Sequence, residues 1–222
     1  MGILFDLDGT LVDTAMDILE AINNLCIELG QPIPDQTLLK DNTSFGLKKL
    51  LSIALNMNIQ DLDDIKFKPL KDRFRYLYSK TNFMQSVLFA GIQELLDNLK
   101  MHKFKVALVT NKHYEFAYLI LKKLNILKYL DCIVTADMVV HPKPAPDPVL
   151  LAIEKLETIP DKCLFIGDAE QDIIAGNLAG VKTVGALFGY IGKNVNTNNW
   201  GANYLVNHPT EIWPLIKKLY LN

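Results

Sequence analysis

The chain has no apolar run near the roughly 18 to 20 residues that a membrane-spanning helix needs; its longest, such as Ile3 to Phe5 or Val106 to Val109, span a few residues each. No signal peptide or myristoyl anchor is expected either, because the start lacks a basic segment, Asp6 and Asp8 interrupt its only apolar stretch, and Gly2 is followed by Asp6 where a myristoylation signal carries Ser or Thr. The expectation is a cytoplasmic protein with no membrane partner. Neither charge is in excess: Lys plus Arg is 23 against 25 for Asp plus Glu, a net −2. No global basic field attracts a polyphosphate backbone, so nucleic acid is not expected as a partner. Cysteine is scarce. Cys26, Cys132 and Cys163 are odd in number, far apart and set among apolar neighbours, which excludes a disulfide framework and a CxxC site and reads as three buried thiols. Gly185, Gly189 and Gly192 match neither a dinucleotide fingerprint nor a phosphate-binding loop, since no Lys-Ser or Lys-Thr follows them. Internal repeats and low-complexity tracts are absent.

What remains is a folded globular chain of 222 residues, 50% hydrophobic and 22% charged, long enough for one domain carrying a sizeable insertion. Short apolar runs alternate with helical periodicity, the rhythm of a mostly parallel sheet in an α/β, doubly wound, Rossmann-like core. Strands are expected at Ile3 to Asp6, Lys105 to Thr110, Cys132 to Thr135, Cys163 to Gly167 and Lys182 to Ala186. Covering helices are expected at Ile92 to Met101, Glu115 to Leu124, Pro146 to Leu156 and Asp172 to Ala179. About 90 residues separate the first two strands where a crossover needs a dozen or so, and their pattern is helical. Ile18, Leu19, Ile22, Leu25, Cys26 and Leu29 mark one helix closed by Gly30 and Pro32; Leu47 to Leu55 and Leu70 to Lys80 mark others. Pro69 is expected to separate Asp61 to Phe67 from Leu70 to Lys80. A helical cap at 14–84 is thus inserted into a core of 1–13 and 85–222.

Chemistry-bearing residues collect at strand ends. The first strand runs into Asp6-Leu7-Asp8-Gly9-Thr10, placing two carboxylates beyond an apolar strand, where open α/β sheets bind ligands. A solvated Asp turn reads the same way locally. A calcium loop fits badly, because it needs Gly where Leu11 stands and Glu where Asp17 stands. The second strand ends in Thr110-Asn111-Lys112, a hydroxyl and an amide that also suit a helix cap. Lys143 sits among Pro142, Pro144, Pro146 and Pro148, either rigidly placed for an anion or a surface lysine in a stiff loop. The fourth strand delivers Asp168, with Asp172 one helical turn later. In a sheet wound outward from its first strand, the strands carrying Thr110 and Asp168 flank the one carrying Asp6, so these side chains converge.

This order resembles the haloacid dehalogenase superfamily of phosphotransferases over essentially the whole chain. Phe5 to Asp13, Thr110-Asn111-Lys112, Lys143 to Asp147 and the helical insertion look most like phosphoglycolate phosphatases. The resemblance implies a Mg²⁺-dependent phosphatase, a phosphoric monoester hydrolase working on a small phosphorylated metabolite such as 2-phosphoglycolate, as a monomer or homodimer. It makes Asp6 the nucleophile that forms an aspartyl-phosphate and Asp8 the acid and base. True dehalogenases of the superfamily lack that second acid. It implies Asp6, the Asp8 carbonyl and Asp168 as metal ligands, with Asp172 behind them holding metal waters or Lys143. Lys143, Thr110, Asn111 and the loop amides through Gly9 and Thr10 would bind the phosphoryl oxygens. The cap segment around Gly46 resembles a loop that faces the site, with Lys48 or Lys49 suited to an anionic leaving group or simply to a solvated helix face. His113 and His141, beside the second motif and Lys143, either touch substrate or stand in solvated loops. Lys66, Lys68, Lys71, Arg73 and Arg75 read as a solvated face. A pyrophosphatase or phosphosugar mutase would carry the same catalytic set. A non-catalytic binding protein would have no reason to keep it, and a phosphoaspartate receiver would lack the cap.

Overall fold

The computed structural model describes residues 1–193 and 195–221; Asn194 and Asn222 lie outside the described residues. The strands are β1 (Gly2–Phe5), β2 (Val12–Asp13), β3 (Val87–Leu88), β4 (Lys105–Thr110), β5 (Cys132–Thr135), β6 (Cys163–Gly167), β7 (Lys182–Ala186) and β8 (Tyr204–Val206). Six of them form one sheet in the order β5-β4-β1-β6-β7-β8, every pairing parallel. β1 and β6 are buried at every residue, which explains their unbroken apolar runs: strands covered on both faces have no polar side to alternate with. Phe5 lies opposite Leu108 on one side and Ile166 on the other, so the residues just beyond these three share one edge of the sheet. β2 and β3 pair antiparallel; with two residues each, they carry no readable period.

Two compact units emerge. One comprises Met1–Asp13, Val87–Gly189 and Asn194–Asn222; the other comprises Thr14–Ser86 and Tyr190–Lys193. The second is helical, with α1 (Ala15–Glu28), α2 (Gln36–Lys40), α3 (Leu47–Ala54) and α4 (Asp64–Lys80). α1 buries Ile18, Leu19, Ile22, Leu25 and Cys26, three or four apart on one stripe, and packs on α4. Gly30, at φ +65°, ends α1 as the left-handed residue a helix terminus calls for. The unit extends past the expected 84 and recruits Tyr190–Lys193 because polar groups stitch them in. The buried Asp17 accepts from the Ser86 hydroxyl at 2.5 Å and the Gln85 N–H at 3.2 Å. The Tyr190 phenol oxygen accepts from the first N–H groups at α1, Thr14 at 2.6 Å and Ala15 at 2.9 Å.

Pro69 does not divide the chain as expected: α4 runs through it. Proline there strips the Ile65 carbonyl of its helical partner, at a residue that is 85% exposed, where solvent can satisfy the freed group. The Asp63 side chain caps the start by accepting from the Lys66 N–H at 2.9 Å.

In the α/β unit, α5 (Ile92–Met101), α6 (Tyr114–Lys123), α7 (Asp147–Lys155), α8 (Glu170–Leu178) and α9 (Ile212–Tyr220) cover the sheet. On one face, Leu4, Ala107, Val109, Val134 and Phe165 meet Val149, Ala152 and Ile153 of α7 and Ala175 of α8. α5 packs on β4 and α9, and α6 on β5. Cys26 and Cys163 are buried, but Cys132, expected to be so, is only half-buried because it opens the edge strand β5. Burial pushes all three thiols up, Cys132 to about 11. No helix among the described residues is long and apolar enough to cross a membrane.

Candidate active site

β1 hands its ladder to a tight loop. The Asp6 N–H still donates to the Ile166 carbonyl at 2.9 Å, while the Leu7 carbonyl accepts from Leu11 at 3.1 Å and Val12 at 2.9 Å. Gly9 sits at φ +81°, and a Cβ there would run into the Asp168 carboxylate. Gly189 abuts the same aspartate, so only glycine fits at either place. The Gly9 N–H donates to the Val12 carbonyl at 3.0 Å, and the buried Thr10 hydroxyl donates to Asp168 Oδ1 at 3.3 Å. Both residues, expected near a phosphoryl group, thus spend these groups on shaping the loop and aiming Asp168.

Lys143 reaches the end of β1 with its side chain wholly buried. Its Nζ lies 2.9 Å from Asp6 Oδ1 and 2.6 Å from Asp172 Oδ1, and donates to the Val109 carbonyl at 2.9 Å. Asn111, at the end of β4, holds the lysine by its main chain. Its Oδ1 accepts the Lys143 N–H at 3.0 Å, and its Nδ2 donates to the Lys143 carbonyl at 2.9 Å and to Gln171 Oε1 at 3.1 Å. Both amide hydrogens of the Asn111 side chain are taken up, which makes it a brace for Lys143 rather than a donor to a phosphoryl oxygen. Thr110 is buried and accepts the Lys112 N–H at 3.2 Å, keeping its own hydrogen to give. Asp172, in the first turn of α8, accepts the Ala169 N–H at 3.0 Å, the carboxylate half of a capping box.

Burial pushes the Asp172 carboxyl up to about 6: loss of water outweighs the pull of the Lys143 ammonium, and the Asp6 charge pushes the same way. Burial disfavours the Lys143 charge too, yet Asp172 and Asp6 together hold that ammonium above the usual lysine range. The two shifts share one origin, a single ammonium among several acids. Oxygens of Asp6, Asp168 and Asp172 all lie within 4.8 Å of one another. Three buried carboxylates around one ammonium leave negative charge uncompensated in an all-oxygen setting, and that donor set suits a hard cation. The Asp8 carboxylate stands elsewhere, 3.0 Å from Lys112 Nζ.

Gly46, Lys48 and Lys49 belong to the helical unit. Gly46, at φ +85°, separates a short 3₁₀ turn from α3, and Lys48 Nζ lies 5.8 Å from the centre of the Phe67 ring. His113 and His141 face Asp137 at 4.0 Å and Asp147 at 3.1 Å. Sequence reasoning gave no role to Lys112, Gln171 or Gly189. Lys112 carried a local signal, a third polar residue after a strand end that already bore two; the other two depend on packing across strands and carried none.

The model of the haloacid dehalogenase-like hydrolase family matches residues 3–186. The chain is 35% identical over 215 residues to the N-acetylmuramic acid 6-phosphate phosphatase of Pseudomonas putida, covering 97% of this chain and 95% of that one. It is 32% identical over 212 residues to a phosphoglycolate phosphatase of Xanthomonas campestris pv. campestris, covering 96% and 94%. Among solved structures, a predicted phosphoglycolate phosphatase from Haemophilus somnus 129pt superposes with a TM-score of 0.84 at 26% identity, covering 96% of each chain. With its acids and buried lysine gathered at the edge of a doubly wound sheet, the chain belongs to the haloacid dehalogenase-like hydrolases, and it is a phosphoric monoester hydrolase of that family.

Proposed function

We propose that this enzyme is a cytoplasmic, Mg²⁺-dependent phosphatase that hydrolyses a small phosphorylated hydroxy acid through an aspartyl-phosphate on Asp6. The observation that carries the reading is the pair Asp6 and Asp8 at the end of the central strand, with the Lys143 ammonium 2.9 Å from Asp6. Asp6 attacks phosphorus and the ester oxygen departs, splitting one difficult displacement into two. Asp8 gives that oxygen a proton, then takes one from the water that cleaves the acyl phosphate. Lys143 and the Thr110 hydroxyl meet the phosphoryl oxygens, where charge grows in the transition state. Asp6, the Asp8 main-chain carbonyl and Asp168, with Asp172 behind them, would hold Mg²⁺, which would supply positive charge to offset the repulsion between a phosphate dianion and two carboxylates. Asn111 and Gln171 keep Lys143 in place. Gly46, Lys48 and Lys49 of the helical unit are the candidates for reading the leaving group, a part supported by that unit's place in the chain between β2 and β3 and by its basic residues.

2-Phosphoglycolate is the first substrate choice. The relative acting on N-acetylmuramic acid 6-phosphate supports a second, and the two esters share an alcohol that bears a carboxylate. The test is phosphate release from both, alongside phosphosugars and pyrophosphate, with Mg²⁺, with chelator and with Asp6→Asn. Turnover that needs both the cation and Asp6 supports the mechanism, and the best ester replaces the first choice. Folded, Mg²⁺-loaded protein that releases phosphate from none of them would sink the reading.

A further inference from the structure

A second lysine, Lys112, stands at the site with its side chain largely covered, and the phosphoryl steps above do not use it. The Lys112 side chain is 8% exposed, with its ammonium 3.0 Å from Asp8 Oδ1. Its main chain is pinned on both sides, the N–H to Thr110 Oγ1 at 3.2 Å and the carbonyl to the Ala136 N–H at 3.4 Å. An ammonium withdrawn from water is costly to keep, and the cluster of Asp6, Asp168 and Asp172 already has Lys143. The carboxylate that Lys112 meets is the one that, on the reading above, protonates the departing oxygen. Its charge therefore stands on the alcohol side of the ester, about one hydrogen-bond length from the group that touches the ester oxygen. In 2-phosphoglycolate the carboxylate carbon is two bonds from that oxygen, so an anion there falls within the ammonium's reach, while a neutral alcohol offers it nothing in place of Asp8.

We propose that Lys112 is a specificity-determining residue of the α/β unit, selecting phosphate monoesters whose alcohol carries a carboxylate close to the ester oxygen. The inference rests on the phosphatase reading and names its substrate class. It differs from a reading in which Lys48 or Lys49 recognises the anion, because Lys112 follows the second catalytic strand and belongs to the core.

The test compares kcat/KM for 2-phosphoglycolate and 2-hydroxyethyl phosphate, near in size but differing in charge, in wild type, Lys112→Met, Lys112→Arg and Lys49→Met, each checked for folding by circular dichroism. Wild type prefers the acid. Lys112→Met loses about 10- to 100-fold more on the acid than on the neutral ester, mostly in KM, as expected for a charge-assisted hydrogen bond made in ground and transition states alike. Inhibition by free glycolate weakens by a similar factor, and Lys112→Arg retains the preference. Should Lys112→Met fail to fold, Lys112→Gln carries the same expectation. Equal losses on both esters, a wild type that cleaves both without preference, or loss of the preference in Lys49→Met instead of Lys112→Met would each overturn the proposal and leave the phosphatase reading standing. A wild type inactive on every monoester overturns both.

Discussion

The two units treat charge in opposite ways. In the α/β unit, Asp6, Lys143, Asp168 and Asp172 are all buried and all gathered at one edge of the sheet. In the helical unit, pairs such as Lys68 with Asp72 and Arg73 with Glu28 lie on exposed surface, and Asp17 is the buried charged residue among those described. The Arg73–Glu28 pair has the better geometry of the exposed pairs, two bonds of 2.5 and 2.7 Å, yet geometry alone does not make a pair matter. Asp17, alone and accepting from Ser86 and Gln85, holds structure, whereas several charges gathered out of water at a cost mark where chemistry is done, and charge at the surface is cheap and marks solvation.

Substitutions break or sharpen that contrast. Asp6→Asn, which keeps shape and removes the nucleophile, lowers phosphate release by about a thousandfold or more, read in a coupled phosphate assay. Lys143→Met strands Asp6 and Asp172 in the interior; chelated protein loses about 3–5 kcal/mol of stability in urea unfolding, and activity collapses with it. In the helical unit, Asp17→Asn puts a buried donor where the carboxylate accepted from the Ser86 hydroxyl and the Gln85 N–H, and costs about 1–3 kcal/mol. Hydrogen exchange should localise that loss to residues 14–86; a uniform loss across the sheet would contradict the division into units. A smaller effect follows from Asp172. Its folded-state value, raised to about 6, favours the neutral acid, so its contribution is full below the unfolded value of about 4 and fades as pH rises through about 6. The melting temperature of chelated protein should therefore decline across that window, and saturating Mg²⁺ should flatten the decline. Arg73→Ala, by contrast, should leave the melting temperature unresolved from wild type.

How legible all this was depended on how local its cause was. β4 through β7 matched their expected limits residue for residue: β4, β6 and β7, covered on both faces along nearly their whole length, write themselves as contiguous apolar runs, and the edge strand β5 keeps a shorter run that ends in the buried Val134 and Thr135. The edge strand β8 buries Val206 alone among its three residues and leaves no such trace. Pro69 misled because an interior proline costs a helix one bond and a ring clash without forbidding it, and here the deprived position, Ile65, is exposed. At the site, each acid was visible as charge at a strand end, and the order of the motifs placed Asp6, Lys143 and Asp168 together. The spending of the Asn111 carboxamide on Lys143 depends on how the segment after β5 lies against the end of β4, and the meeting of Lys112 with Asp8 on the pairing of β1 with β4, neither of which any single stretch of sequence contains.

The bond from the Thr14 and Ala15 amides to the Tyr190 phenol has a practical consequence for anyone recombining such enzymes. Residues 14–86 look like a cassette that could be cut out and exchanged with that of a relative. The start of α1, however, takes its hydrogen-bond acceptor from a tyrosine more than 170 positions away, beyond both cut points. A chimaera spliced only at 14 and 86 inherits the recipient's residue at 190, so the transplantable piece is discontinuous and Tyr190–Lys193 travels with it.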